Sequence, residues 1–262
     1  MSLLTIAFFG ATGGSVATTL ALSLKAGYTC KALVRNPTKL TELLTSSHGT
    51  TLQQIESHLT VTKGDVLSRP DVESVVYLEG NKTVDLIISG IGSYPVFKGW
   101  NPIPKIENPT LCHDVIHNLI STLKSRGGAG NGPHLVTIGT TGISNLGRDY
   151  PLLLTLVYKV LLHEAHRDKG NMENLVATSL RRSGSEGSGP LRAYTIVHAS
   201  LLTGGNMLGM EKVRSEIEGD KWSRNAIGYT ISRRDVGNWI FEDVIRGFGS
   251  ERKAGRIARI TY

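Results

Sequence analysis

The sequence predicts an α/β fold built as a doubly wound parallel sheet, and three observations carry that expectation. Short β-branched runs alternate with helical stretches along the chain, the order that generates parallel strands joined by crossover helices. Several of those runs are apolar throughout, as strands covered on both faces are. A glycine-rich turn, Gly10-Ala11-Thr12-Gly13-Gly14, joins the first strand to the first helix.

The elements follow in order. Residues 4–9 form an apolar strand, 15–26 a helix closed by Gly27, and 29–34 a second strand. Residues 37–46 form a helix opened by Pro37 at its first turn. Residues 59–63 are a third strand, 71–78 a helix, and 84–89 a fourth, almost wholly apolar strand. Residues 90–108 are rich in Gly and Pro and read as a loop. A helix over 110–125 and a glycine-rich turn over 127–133 lead to a fifth strand at 135–139. Residues 152–180 read as helical in one or two pieces. Residues 181–190 form a Ser/Gly surface loop. A sixth strand at 193–198, a short strand at 227–231, a helix at 235–246 and a terminal strand at 256–262 complete the chain.

Composition narrows the function. With 262 residues, 40% hydrophobic, the chain can bury a core of its own and is not disordered. Its two cysteines, Cys30 and Cys112, form no CxxC pair, so neither a disulfide framework nor a cysteine-rich zinc site is expected. No apolar run reaches the ~20 residues of a membrane span, and no secretory signal is visible. The expectation is a cytoplasmic protein with no membrane partner. The net charge of +7 points to an anionic partner, nucleic acid or a phosphorylated small molecule.

The first glycine-rich turn favours the small molecule. It follows a strand and opens a helix, the context of a dinucleotide fingerprint. Gly10 makes the turn, Thr12, Gly13 and Gly14 let the backbone approach a pyrophosphate, and Ser15 and Val16 begin the helix whose N-terminus faces it. Val16 stands where a third glycine is common. At the end of the second strand an NAD enzyme places a carboxylate on the ribose diol. Here Leu33-Val34-Arg35-Asn36-Pro37 has none, and Arg35 suits a 2′-phosphate, so the expected cofactor is NADP (NADPH). Two later turns, Gly64-Asp65-Val66 and Ser89-Gly90-Ile91-Gly92, fall after the third and fourth strands. Asp65 and Val66 suit an adenine edge, and Gly90 and Gly92 leave room for a ribose.

These residues resemble the atypical, extended short-chain dehydrogenase/reductase superfamily, and more narrowly its NmrA-like NAD(P)H-binding branch. The match continues with Tyr194-Thr195-Ile196-Val197, Leu201-Leu202-Thr203-Gly204-Gly205 and Ile231-Ser232-Arg233-Arg234-Asp235-Val236. The proportions are similar to those of fungal polyketide-pathway oxidoreductases of the averufin-oxidase type. The resemblance implies a Rossmann-like domain over residues 1–262, with a small C-terminal substrate-binding portion, NADP, and reductase activity. Two departures stand out. The sixth strand ends in His198-Ala199 where the family often has Arg-Pro. The Tyr-xxx-Lys spacing occurs only at Tyr94 to Lys98, in the wrong loop, so the usual tyrosine acid is not carried over.

Candidate chemistry therefore rests on other groups. Thr140 and Thr141 follow the fifth strand, and Thr141 could bond a substrate carbonyl. His198 ends the sixth strand, where it could meet the nicotinamide amide. His166, Lys169 and Glu173 fall at helical spacing, and Asp168-Lys169-xxx-Glu173 resembles a pattern of related reductases. His166 or Lys169 could donate a proton. No HExxH order is present around His163 and His166, so no metal is expected.

The leading expectation is an NADP-dependent reductase passing hydride to a carbonyl or conjugated small molecule, in secondary-metabolite biosynthesis as the resemblance implies. An apolar or aromatic substrate would lie between residues 90–108 and 201–222, with Tyr94, Phe97, Trp100 and Trp222 as walls. The alternative is a non-catalytic NADP-binding redox sensor acting through a protein partner. Nucleic-acid binding has only the scattered charge behind it, including Arg246, Arg252, Lys253, Arg256 and Arg259, and no recognition motif.

Overall fold

The computed structural model describes residues 4–93, 95–96, 105–126, 132–144, 147–156, 158, 161–180, 189–219, 225–250 and 253–262. Strands β1 (Thr5–Phe9), β2 (Thr29–Val34), β3 (Leu59–Lys63) and β4 (Leu86–Ser89) alternate with helices α1 (Gly14–Lys25), α2 (Pro37–His48), α3 (Leu52–His58) and α4 (Arg69–Val76). A two-residue pair, β5 (Pro95–Val96) with β6 (Lys105–Ile106), precedes α5 (Leu111–Ser125) and β7 (His134–Thr140). Helix α6 (His163–Thr178) leads to β8 (Ala193–Ala199), β9 (Leu201–Thr203), β10 (Arg214–Ile217) and β11 (Thr230–Ser232). Helix α7 (Arg233–Trp239) runs into a π-helical turn (Ile240–Ile245), and β12 (Gly255–Thr261) ends the chain.

Eight strands form one sheet in the order β10-β12-β8-β7-β4-β1-β2-β3. Every pairing in it is parallel except that of the edge strand β10 with β12. The period-2 alternation of β1 assigns its two faces. Ile6 and Phe8 pack beneath α1 and the α7 segment, with Leu20, Leu24 and Trp239. Ala7 and Phe9 pack beneath α4, α5 and α6, with Val75, Leu119 and Val176. Strand β1 lies between β2 and β4, so chain order reverses there, and a crevice opens at the carboxyl ends of β1 and β4.

The α/β doubly wound class matches the sequence expectation; several boundaries differ. Residues 90–108, expected as a loop, contain the β5–β6 pair. The strand expected at 227–231 is β11, which leaves the main sheet and pairs parallel with β9. The helical stretch 152–180 divides into a 3₁₀ turn (Leu152–Leu154) and α6. Helix α3 escaped the reading because it is short, with one buried residue, Ile55; Thr51 and Gln54 close a capping box that starts it. Helix α2 opens with Pro37 in the first turn as expected and runs to His48, two residues past the expected end; the Asn36 side chain caps it by accepting from Lys39 N, and Gly49, left-handed, ends it. Among the described residues, no helix is long and apolar enough to cross a membrane.

Candidate active site

A cleft of 420 Å³ occupies the crevice. Its walls are residues 10–13 after β1, 33–35 at the end of β2, 64–67 after β3 and 90–93 after β4, closed by Glu107, Asn108 and Leu111. Gly10 adopts φ +77°, which turns the chain sharply out of the sheet. Gly13 N–H returns to Gly10 O at 2.8 Å, and Gly13 then serves as N-cap of α1 without a side-chain acceptor. The first turn of α1 thus presents backbone N–H groups and the positive end of the helix dipole to a ligand.

Of the residues expected to meet a cofactor, Gly10, Thr12, Gly13, Arg35, Asp65, Val66, Gly90 and Gly92 share this cleft. Arg35 is exposed and makes no hydrogen bond or ion pair to another described residue. Asp65 is pinned by its own turn: its Oδ1 accepts from Leu67 N at 2.8 Å, and its N–H donates to Asp71 Oδ2 at 2.8 Å. The other five lie outside the lining. Gly14 is covered by the Arg233 stem and Ser15 is buried. Val16 is 1% exposed and packs beneath Gly90, whose missing Cβ would fall 2.4 Å from Val16 Cγ2. Thr140 turns its hydroxyl back to Thr141 O.

His198, the fifth, is corrected more substantially. Its ring is buried, with Nε2 donating to both Glu173 oxygens at 3.0 and 2.9 Å. Nδ1 faces Asp149 Oδ2 at 4.0 Å. The imidazole is engaged inside the protein, behind the carboxyl ends of β7 and β8.

Helix α6 places His166, Lys169 and Glu173 inward along one stripe, as their spacing implies. Glu173 lies across Gly139 of β7, where a Cβ would sit 2.3 Å from its Oε1. Lys169 is partly buried and its ammonium donates to Ile138 O at 2.5 Å, a single bond from a group with three protons. His166 packs on Tyr158, ring centroids 5.3 Å apart. Burial, with a smaller contribution from His163, lowers its pKa to about 4, so it is neutral at physiological pH and unsuited to the acid role expected of it. Asp168 points away from this stripe. Its two oxygens accept from Cys112 N and His113 N, each at 2.9 Å, and so cap α5, whose own Thr110 supplies no side-chain cap.

Thr141 is buried, and its hydroxyl is paired with the Tyr158 hydroxyl at 2.8 Å. Tyr158 stacks on Tyr150 at 4.5 Å. Burial raises the Tyr158 pKa, partly offset by the Thr141 hydrogen bond. Asp149 belongs to this corner without having been singled out from sequence, and Tyr158 and Tyr150, near the region where the family carries its tyrosine, lack the Tyr-xxx-Lys spacing; they lie in an aperiodic segment where no spacing signals a partner. Tyr94, Phe97, Trp100 and Trp222 lie outside the described residues. Among the described residues no cluster of His, Cys, Asp or Glu could hold a metal ion.

A glycine-lined crevice at the switch point of a parallel sheet, with a helix start that no side chain caps and an exposed arginine in its wall, defines a dinucleotide-binding α/β protein. Comparison with known proteins places it further. No family model matches the chain. It is 38% identical over 266 residues to the reductase pytE of Aspergillus terreus, covering 98% of both chains. It is 34% identical over 275 residues to the oxidase pynE of Aspergillus niger, covering 94% of both. Its fold is shared with ChuY, an anaerobillin reductase from Escherichia coli O157:H7, at TM-score 0.65 and 19% identity, covering 98% of this chain and 96% of that one. The oxidoreductase ylbE from Lactococcus lactis superposes at TM-score 0.56 and 14% identity, covering 98% and 90%. The chain belongs to the family of fungal oxidoreductases that contains pytE and pynE, within the atypical, NmrA-like short-chain dehydrogenase/reductases.

Proposed function

We propose that this protein is an NADPH-dependent reductase acting on a carbonyl or conjugated small molecule with an apolar or aromatic body. The observation that carries the cofactor choice is Arg35. It stands exposed in the cleft wall, without a protein partner among the described residues, at the end of a strand that carries no carboxylate. A guanidinium there matches a 2′-phosphate by charge and by paired N–H geometry, and offers a bare ribose diol little. The turn at residues 10–13 and the start of α1 would hold the pyrophosphate, and Asp65 and Val66 the adenine.

Bound NADPH would supply the hydride. The protein's task is then to hold the substrate and deliver a proton to its oxygen. Lys169 is the donor we favour, because it is partly exposed at the end of β7 and keeps N–H groups beyond the one given to Ile138 O. The buried Thr141–Tyr158 pair supports the turn beside it. Leu152, Leu153 and Leu156 stand 70%, 83% and 74% exposed between Tyr150 and Tyr158, an apolar edge suited to such a substrate.

The test is titration of the protein with NADPH and with NADH, followed by nicotinamide fluorescence. Arg35→Ala should weaken NADPH binding about 10–100-fold, the worth of one charge-assisted contact, and leave NADH nearly unchanged. Equal loss for both cofactors, or no NADPH binding by the native protein, would overturn the assignment.

A further inference from the structure

We propose that His198 is a positioning residue: clamped between Glu173 and Asp149, it holds one proton with Asp149 and thereby fastens α6, which carries Lys169, and the segment after β7 to the sheet. Three elements meet at this ring. Glu173 lies one turn beyond Lys169 on α6, so its bidentate contact with His198 Nε2 anchors the helix carrying the proposed donor. Asp149 lies in the segment after β7, and its Oδ1 accepts from Gly142 N at 2.8 Å, next to Thr141. His198 belongs to β8, in register with Gly139 of β7, over which Glu173 lies.

The proton follows from donor and acceptor arithmetic. A neutral imidazole has one N–H. The Glu173 carboxylate takes it at Nε2, so a neutral ring turns a lone pair at Nδ1 toward Asp149. Both Nδ1 and Asp149 Oδ2 are buried, 4.0 Å apart, and neither has a hydrogen-bond partner among the described residues. A lone pair facing a buried carboxylate is repulsive; a proton on either atom removes the repulsion. The other charged or titratable groups bearing on the unit are Arg259, beside His198 on β12, which favours the carboxylate form of Asp149, Tyr158, whose pKa Asp149 helps to raise, and Glu218 beyond β10, whose carboxylate form His198 favours. Burial outweighs the Gly142 hydrogen bond and the His198 charge and raises the Asp149 pKa, in keeping with a retained proton. A group raised in the folded state contributes stability at low pH and loses it as pH rises through its folded pKa. The clamp should therefore loosen as pH rises through the folded value.

The experiment compares wild type, Asp149→Asn and His198→Gln in thermal unfolding from mildly acid to alkaline pH without added cofactor. The same proteins are then assayed for NADPH turnover with menadione as a quinone probe. An asparagine amide can donate to Nδ1 at every pH, so Asp149→Asn should keep its Tm where wild type falls by several degrees. The activity arm rests on the reductase reading. There, any fall in kcat shared by wild type and Asp149→Asn belongs to the proton donor; the clamp is read as an additional fall in wild type, of up to about tenfold per pH unit for a single ionisation, that Asp149→Asn lacks while its NADPH affinity stays within about twofold of wild type. If Asp149→Asn does not fold, His198→Gln carries the test: with the imidazole gone, its Tm–pH curve should separate from that of wild type. Parallel Tm–pH curves for wild type and the folded variants would overturn the clamp. If wild type fails to oxidise NADPH while the Tm curves diverge as described, the reductase reading falls and the clamp stands.

Discussion

Replacing Gly90 with alanine sets a methyl carbon 2.4 Å from Val16 Cγ2 and 3.1 Å from Ile138 Cδ1. Carbon atoms in contact need about 3.8 Å, so the first overlap is about 1.4 Å deep. The Ile138 methyl is a flexible end and can yield. Val16 is 1% exposed on the first turn of α1, held by core neighbours, and its χ1 is restricted by branching. Overpacking of that kind costs about 3 kcal/mol, the upper part of the usual range. Loss of glycine's freedom in the unfolded chain returns about 0.7 kcal/mol. The net destabilisation is about 2 kcal/mol, or a fall in Tm of roughly 4–8 °C for a chain of this size. Relief by movement of α1 would also shift its N-terminus from the pyrophosphate position, so NADPH binding should weaken with stability. Val16→Ala removes the clashing methyls, and the double variant should then recover about 2 kcal/mol relative to the sum of the single changes. Urea unfolding of the four proteins measures that coupling. Additivity within about 0.5 kcal/mol would refute the view that Val16 occupies the space a third glycine usually leaves open and that Gly90 accommodates it.

The other predictions concern groups at the edges of the site. Asp168→Ala strips two N–H acceptors from the start of α5 and should cost about 3 kcal/mol in urea unfolding, with Asp168→Asn recovering part of it; a change below about 0.5 kcal/mol would contradict the capping role. His166 titrates near 4 in the folded protein and 6.5 in the unfolded chain. Unfolding therefore takes up a proton between those values, and stability falls by roughly 3 kcal/mol as pH drops across that window. His166→Gln should flatten this part of the stability–pH curve. For Asp235 burial acts to raise the pKa, but hydrogen bonds from Tyr262, Leu208 N, Ser232 and Gly209 N outweigh it and hold the carboxyl below 3.8. Its stabilisation is complete above that pH and lost as pH falls through the folded value, so Asp235→Asn should reduce the acid sensitivity of the chain below about pH 4.

What the sequence discloses and what it withholds divide along the range of the interactions. The cleft was legible because each wall is a local signal: a glycine where a strand turns into a helix, an arginine where a carboxylate usually stands, an aspartate in a turn. Those signals repeat after successive strands, and the parallel order brings them to one edge of the sheet. The stripe of His166, Lys169 and Glu173 was legible for the same reason, as a period. Its immediate neighbour Asp168 was grouped with it in sequence but lies about 100° around the helix, and so serves α5 instead. The roles of His198 and Tyr158 were not legible, because they depend on partners brought by packing. Glu173 reaches His198 only because Gly139 leaves the strand surface bare beneath it. Thr141 meets Tyr158 across a segment with no period to read. The basic C-terminal group shows the same limit. Arg256 and Arg259 add to a count that suggests a phosphate backbone, yet the fold buries both and pairs them with Asp243 and Glu216. A nucleic acid could reach neither without breaking the contacts that join β12 to its neighbours, whereas Arg35, a single residue in the opening turns, stands exposed in the cleft without a partner among the described residues. The proposed function therefore rests on the placement of one cation and not on the total charge.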